Sequence, residues 1–360
     1  MSADFRRELP AQPDLDQQKK LAKELLRAFR SGDAVAIARV RAQLPDKRSI
    51  VLADAQFVLA REYGFANWAA LKQAIEERAA QVPPEKALRA AFHAHDVPAV
   101  RRLLSKHAEL RARINEPVFT FDSPAIAAFA GEEDGALVEV LLEFGADPNR
   151  RSSWWAGGFH PLHGASATAA EKLIAAGAVV DACAAAHLDR VDLLAEILQR
   201  EPGRVHERGG DGQTPLHFAR SRAVVDLLLA AGADIDARDV DHRSTAAEWM
   251  LDRRQQAGRY DLAEYLVQRG ASADIFLASA LGLNERVRAL LDLNPALLEL
   301  RTTQGDYGEK PPSSYHIYMW TIGPDLLPMQ VAAQFGHGDT VDVMRGYATP
   351  RPHLSAACCR

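Results

Sequence analysis

Twelve histidines and three cysteines are the residues with which this chain could do chemistry, and their spacing limits what that chemistry could be. His93-Ala94-His95-Asp96 has a metal-like spacing, but histidines at i and i+2 of a helix face different sides and do not share an ion. His163 and His217 stand as single acid–base candidates, and neither His316 nor His337 has a partnered nucleophile in sequence. Asp239-Val240-Asp241-His242 imitates an acid–base cluster, yet Asp and His are ordinary turn residues; any function of Asp239 and His242 is expected to be binding. Cys183 and the adjacent Cys358-Cys359 make neither a disulfide framework nor a zinc ligand set. No phosphate loop, dinucleotide glycine pattern or nucleophile elbow occurs. The expectation is a non-enzyme with no cofactor and no metal.

The elements that must position these residues are most legible at Asp211–Ala219, DGQTPLHFA, followed by Val224-Val225-Asp226-Leu227-Leu228-Leu229 and Gly232-Ala233-Asp234. Asp-Gly supplies a tight turn. Thr-Pro opens a helix, since proline in a first turn lacks only an N–H that would be unpaired anyway. Leu216, Phe218 and Ala219 give that helix an apolar face, the Val/Leu run gives a second helix its own, and Gly232 ends the second in a left-handed cap. Such a unit cannot bury both faces alone and needs similar neighbours.

The unit resembles an ankyrin repeat, whose turn, two antiparallel helices and Thr-Pro-Leu-His tetrapeptide recur at about 33 residues. Partial copies open at Ser123-Pro124, His160-Pro161-Leu162-His163, Thr245-Ala246-Ala247 and Pro328-Met329, and each leads on to a glycine. The resemblance implies an all-α ankyrin-repeat solenoid with short hairpin fingers. It also implies that His163 and His217, at the tetrapeptide position, bond locally to neighbouring backbone. A looser unit alternates with these: Leu104, Leu198 and Leu291 lie 94 and 93 residues apart, each behind a short Ala-rich helix. Large groups of uncharacterised bacterial ankyrin-repeat proteins look like this, and the resemblance specifies fold far better than role.

Composition agrees with a soluble protein of the reducing cytoplasm. Net charge is −5 with 25% charged residues, and the first eighty residues hold 14 basic and 11 acidic side chains, too balanced for a nucleic-acid arm. No run approaches the roughly 20 apolar residues of a membrane span. Neither nucleic acid nor membrane is expected as a partner.

Along the chain we expect a mobile N-terminal tail over 1–15 and a helical cap of degenerate repeats over 16–80, with helices at Gln17–Arg30, Asp33–Leu44, Leu52–Tyr63 and Ala66–Glu77. A repeat array over 85–346 follows. The stretch 347–360 reads as an incomplete repeat that leaves Leu354, Ala356, Ala357 and two thiols uncovered, as expected either of truncation of a longer ancestral array or of a partner or second copy that supplies the missing face. Fingers are absent at Gly177–Ala184 and Gly270–Leu277 but long at 147–159 and in an insert at 302–326. Four of the chain's 25 aromatics fall within Tyr307–Trp320, and three of five tryptophans lie in these two loops. Loop aromatics are common anchors of interfaces. The expected protein-binding residues are therefore Trp154, Trp155, Phe159, Asp239, His242, Tyr307, Tyr315, His316, Tyr318 and Trp320. Against this stands a plainer reading: Tyr315–Trp320 alternates like a short strand, and its rings could fold back to seal the insert. The favoured role is an interaction scaffold binding an unidentified protein through its fingers and concave helix face. The alternatives are a hydrolase or transferase with its site in the insert, and self-assembly through the open end of the stack.

Overall fold

The computed structural model describes residues 5–10, 13–80, 82–251 and 259–348. Two compact units divide the chain, Met1–Ala99 and Val100–Arg360. Among the described residues no helix is long and apolar enough to cross a membrane.

In the first unit the four expected helices run over Leu15–Arg30, Ala34–Gln43, Leu52–Glu62 and Trp68–Ala80, and Pro84–His93 follows them. Asp14 caps the first, its carboxylate accepting from the backbone N–H groups of Asp16 and Gln17. Leu25, Ala36, Val40, Ile50, Ala55 and Val58 share one small core, and Ala60, Leu71 and Ile75 another. Glu62 is buried among them and is held by both arms of the Arg39 guanidinium at 2.8 and 2.7 Å, the paired geometry a buried carboxylate needs.

The second unit is the expected all-α stack of ankyrin-type helix pairs. Its pairs include Ala125–Ala128 with Ala136–Glu143, Ala182–His187 with Val191–Arg200, Pro215–Phe218 with Arg222–Ala230, and Ala246–Trp249 with Tyr260–Gln268. Ile275–Ala280 with Asn284–Leu293 and Pro328–Gln334 with Gly338–Ala348 continue the series. Serine and aspartate open many of these helices: Ser166, Asp181, Ser221 and Asp274 each accept a backbone N–H three residues on. Gly232 closes its helix with φ +91°, which lets the N–H groups of Gly232 and Ala233 reach the carbonyls of Leu229 and Leu228. The apolar stripes of Leu216, Val224, Val225 and Leu228 lie in one continuous core with Leu194, Ala247, Leu262, Phe276 and Leu291.

The 93-to-94-residue recurrence is visible in the elements. Helices of ten residues begin at Val97, Val191 and Asn284, and the left-handed residues His95, Asp189 and Gly282 sit two positions before each. Leu104, Leu198 and Leu291 are all buried. The fingers are less regular than hairpins of paired strands: among the described residues only isolated bridges join Phe119 to Ser123, Arg238 to Thr245 and Lys310 to Ser313. Two expectations are corrected. His160-Pro161-Leu162-His163 forms a 3-10 turn in place of an α-helical one, and Tyr315–Trp320 is no strand. Tyr318–Thr321 is a single helical turn, closed by the Thr321 and Ile322 N–H groups on the carbonyls of Ile317 and Tyr318. The expected C-terminal residues Leu354, Ala356, Ala357, Cys358 and Cys359 lie outside the described residues.

Close approach of two fingers makes a sharp demand at Gly157. Its φ is +148°, and a Cβ there would stand 2.4 Å from the Gly209 carbonyl oxygen and 2.6 Å from the Gly212 nitrogen. Both obstacles are backbone and cannot swing aside. Gly157→Ala is expected to lower unfolding free energy by about 2–4 kcal/mol in urea titration. A loss below about 0.5 kcal/mol would show that the fingers separate easily.

Candidate functional site

The fingers of the second unit lie side by side and are joined by backbone hydrogen bonds. Ser153 N–H donates to the Asp122 carbonyl at 3.0 Å, and Val240 and Asp241 N–H both donate to the Asp211 carbonyl at 2.8 and 3.2 Å. Asp211 and Gly212 are both left-handed (φ +55° and +71°), the conformation an Asp-Gly tip allows. Gly210 is equally constrained, because a Cβ there would stand 2.2 Å from the Phe159 ring. Phe159 is accordingly half-buried between fingers.

The insert is closed at its base by Thr302, whose N–H reaches Leu326 O at 3.1 Å and whose hydroxyl reaches Gly323 O at 2.8 Å. From there it folds onto the finger 239–244. Arg243 donates to the carbonyls of Asp306, Gly308 and Ser314, Ser314 N–H and Oγ bind the Asp241 carboxylate, and Ser244 Oγ accepts from Ile317 N–H. His242 Nδ1 lies 2.9 Å from Tyr315 O. Asp239 and His242, expected at an open fingertip, are therefore buried. Asp239 accepts from the N–H groups of His242 and Ser244 and from the Trp249 indole at 2.5, 3.0 and 2.8 Å, so it shapes the finger from inside.

Below the insert lies a second polar group. Tyr318 is fully buried and gives its hydroxyl to Asp274 at 2.9 Å; Tyr307 binds the other Asp274 oxygen at 2.8 Å. Glu248 accepts Thr245 N–H at 2.6 Å, with His316 Nε2 at 3.4 Å from the same oxygen. Burial, then the Glu248 charge, raises the Asp274 pKa; burial raises both phenols beyond any ordinary range. Burial works to raise the Glu248 pKa, but its contact with His316 and the hydrogen bond from Thr245 N–H outweigh that and hold it below the ordinary carboxylate range. His316 and Tyr318 are thus interior residues, not surface contacts, and Tyr307 and Tyr315 are half-buried.

Among what the fingers and insert leave open to solvent are several large apolar side chains. Phe121, Trp155 and Trp320 are 47%, 45% and 41% exposed, and Val118 and Val240 are exposed with them. Phe121 packs edge-on against Trp154 at 5.2 Å and beside Phe159 at 5.3 Å; Trp154 and Trp155 lie 6.1 Å apart. Trp320 stands edge-on to His242 at 4.7 Å. Trp154 is half-buried, its indole N–H close enough to Asp211 to pull that carboxyl down slightly, though neither atom completes a hydrogen bond of ordinary geometry. Burial, with Asp241 and Asp239 facing it, nonetheless pushes Asp211 up to about 7. Sequence reading missed Phe121, Asp211, Glu248 and Asp274, each of which reads as an ordinary turn or helix-opening residue.

The tetrapeptide histidines differ from each other. His217 behaves as expected: Nδ1 faces Thr214 N–H and Oγ1, and Nε2 donates to Ser244 O at 3.1 Å. His163 is the correction, its Nε2 lying 3.0 Å from both Asp181 oxygens while His160 takes over the local turn by accepting Leu162 N–H. The Asp181 charge is stabilised further by the Ala184 N–H and Arg151, which together with His163 outweigh its burial and hold it far below the carboxylate range. His337 reaches Ala280 O and the Tyr260 hydroxyl, a seam between helix pairs.

Two predictions follow from these interior groups. Tyr318→Phe should cost about 1–2 kcal/mol of stability by denaturant titration, because Asp274 loses a donor in a dry site; an unchanged midpoint would mean water enters there. His187 donates to Ala165 O and takes a hydrogen bond from Arg220; burial, then the Arg220 charge, lowers its pKa to about 4. The unfolded imidazole titrates near 6.5, so between pH 4 and 6.5 the unfolded state binds more protons and stability rises with pH. His187→Gln should remove about 1–3 kcal/mol of that rise, leaving the share of His160, also lowered to about 4. A variant with the same pH slope as the parent would refute this assignment.

Comparison with known proteins places these observations. The ankyrin repeat family matches residues 211–240, which span the Asp-Gly tip, the tetrapeptide and the glycine-capped helix. No curated protein matches the chain. Among solved structures the chain is similar to the ankyrin repeat domain of Bcl-3, described as a unique member of the IkappaB protein family. That similarity runs at 20% identity over 72% of this chain and 98% of that one, with a TM-score of 0.30. The chain carries an ankyrin repeat at 211–240 within an all-α stack of helix pairs.

Proposed function

We propose that this chain is a cytoplasmic protein-interaction scaffold whose partner docks on the finger face, with the concave helix face as the second contact surface. Ankyrin repeats in general mediate protein–protein interaction, and the observation that carries the reading here is the apolar rim of neighbouring fingers. Phe121, Trp155 and Trp320 are rigid rings with large exposed area, the residue class that dominates interface energetics at low entropic cost. Trp154 packs against Phe121 and Trp155, Phe159 lies beside Phe121, and Trp320 rests against His242. Of the remaining expected contact residues, Tyr315 borders this rim, while Asp239, His242, Tyr307, His316 and Tyr318 serve it by holding the insert in place. A non-enzymatic role fits the histidines, since both ring nitrogens of His217 are engaged in structural hydrogen bonds.

The test is affinity capture from cells of the native host, comparing the parent with a Trp155→Ala/Trp320→Ala variant. The variant is expected to recover bound protein at least about tenfold less well, with a melting temperature within about 2 °C of the parent. Undiminished capture would place the partner elsewhere. A fall of more than about 5 °C would show these rings to be structural.

A further inference from the structure

The finger ladder buries a set of ligand atoms that its interaction role leaves unexplained. Asp211, Asp241 and His242 are 6%, 2% and 8% exposed, and one oxygen or nitrogen from each lies within 4.8 Å of the others. Asp211 Oδ1 is buried and completes no hydrogen bond, the neighbouring Trp154 indole N–H included, although a buried carboxylate oxygen ordinarily demands one. The two backbone N–H groups nearby do not serve it, because both donate to the Asp211 carbonyl. Asp239 next door is fully engaged with backbone and indole donors and is no ligand.

His242 is oriented as a ligand would be. Tyr315 O can only accept, so Nδ1 is the ring nitrogen committed as a donor, and Nε2 is turned into the cluster, 3.6 Å from Asp241 Oδ2. The outer partners are also in place: Ser314 N–H and Oγ hold the Asp241 carboxylate, and the rings of Trp249 and Trp320 bracket the imidazole. A metal-bound histidine with its second nitrogen on a carbonyl, beside hydrogen-bonded carboxylates, is the usual construction of such centres.

We propose that Asp211, Asp241 and His242 form a binding site for one divalent transition-metal ion of the Zn²⁺ class. Two carboxylates and an imidazole suit Zn²⁺ and its first-row neighbours; the nitrogen disfavours Ca²⁺ and Mg²⁺, and the absence of sulfur among the three disfavours Cu(I). Bound there, the ion ties the finger at 209–213 to the finger at 239–244, whose ligands are braced by the insert. The other buried cluster, His163, Asp181 and Cys183, is not such a site. Its carboxylate is already satisfied, since Asp181 is held by His163 Nε2, the Ala184 N–H and Arg151, and the one orphaned atom there, His163 Nδ1, is on the side of the ring away from that carboxylate.

The experiment uses chelator-stripped full-length protein titrated with ZnCl₂ by calorimetry, alongside Asp211→Asn, His242→Gln and Cys183→Ser, each first checked for parental helicity. The parent and Cys183→Ser are expected to bind one equivalent, with at least about tenfold preference over Mg²⁺, while Asp211→Asn and His242→Gln weaken binding more than about a hundredfold. Co²⁺ added to the parent should give a paramagnetically shifted imidazole N–H resonance that is missing in His242→Gln. No saturable binding by the parent, or binding that survives Asp211→Asn, overturns the proposal. So does a parent that binds no Zn²⁺ while Asp211→Asn is simply more stable, since a proton on Asp211 would then satisfy the site. If His242→Gln does not fold, the cobalt resonance in the parent decides: its absence refutes ligation by His242.

Discussion

A helix pair with apolar stripes on both sides can hide those stripes only against other pairs, and the second unit follows from that constraint. Leu216, Val225 and Leu228 find cover against Leu194 on one side and Ala247, Leu262 and Leu266 on the other, so stability is shared along the row. Short helices suffice because tertiary packing does the stabilising; the four-residue helices Pro215–Phe218 and Ala246–Trp249 would not form alone. Glycine caps and serine or aspartate openings bound several of these helices within a turn, which frees the intervening chain to leave as a finger.

With helices carrying the stack, the fingers are held by polar groups. Backbone bonds such as Val240 to Asp211 link one tip to the next; Gly157 lets two backbones approach closely, while Gly210 and Gly212 leave room for the Phe159 ring and the Val240 side chain. The insert extends this arrangement. It buries Tyr318 and His316 against Glu248 and Asp274, and a polar network in a dry site specifies a single position because misplacement would strand charges. Trp320, on the same insert, is left at the rim, beside His242.

The consequence is a division between two kinds of aromatic residue that composition alone cannot separate. Tyr307 and Tyr318 have hydroxyls and find a buried carboxylate, so they can be taken inside. Phe121, Trp155 and Trp320 stay exposed where the rows of fingers end. An apolar rim over a rigid polar layer is the combination a docking surface requires, since its anchors are ordered before any partner arrives.

Periodicity, helix openings and glycine stops were legible in the sequence because each is a local property of the chain. The tetrapeptide, the Leu/Val runs and the recurrence of Leu104, Leu198 and Leu291 indicate the helix pairs, and Asp211-Gly212 indicates its own turn. The first unit's helices were placed to within a few residues on the same basis. Which loop residues meet was decided only by tertiary structure, because the decisive distances span 30 to 73 positions of chain: Asp211 against Asp241, Asp241 against Ser314, His242 against Tyr315. Tyr318 reads as a surface anchor until Asp274, 44 residues away, offers its carboxylate. Asp239 reads as a fingertip until the insert covers it. Burial of a polar side chain depends on a partner supplied by another element, and no local pattern records where that partner will be.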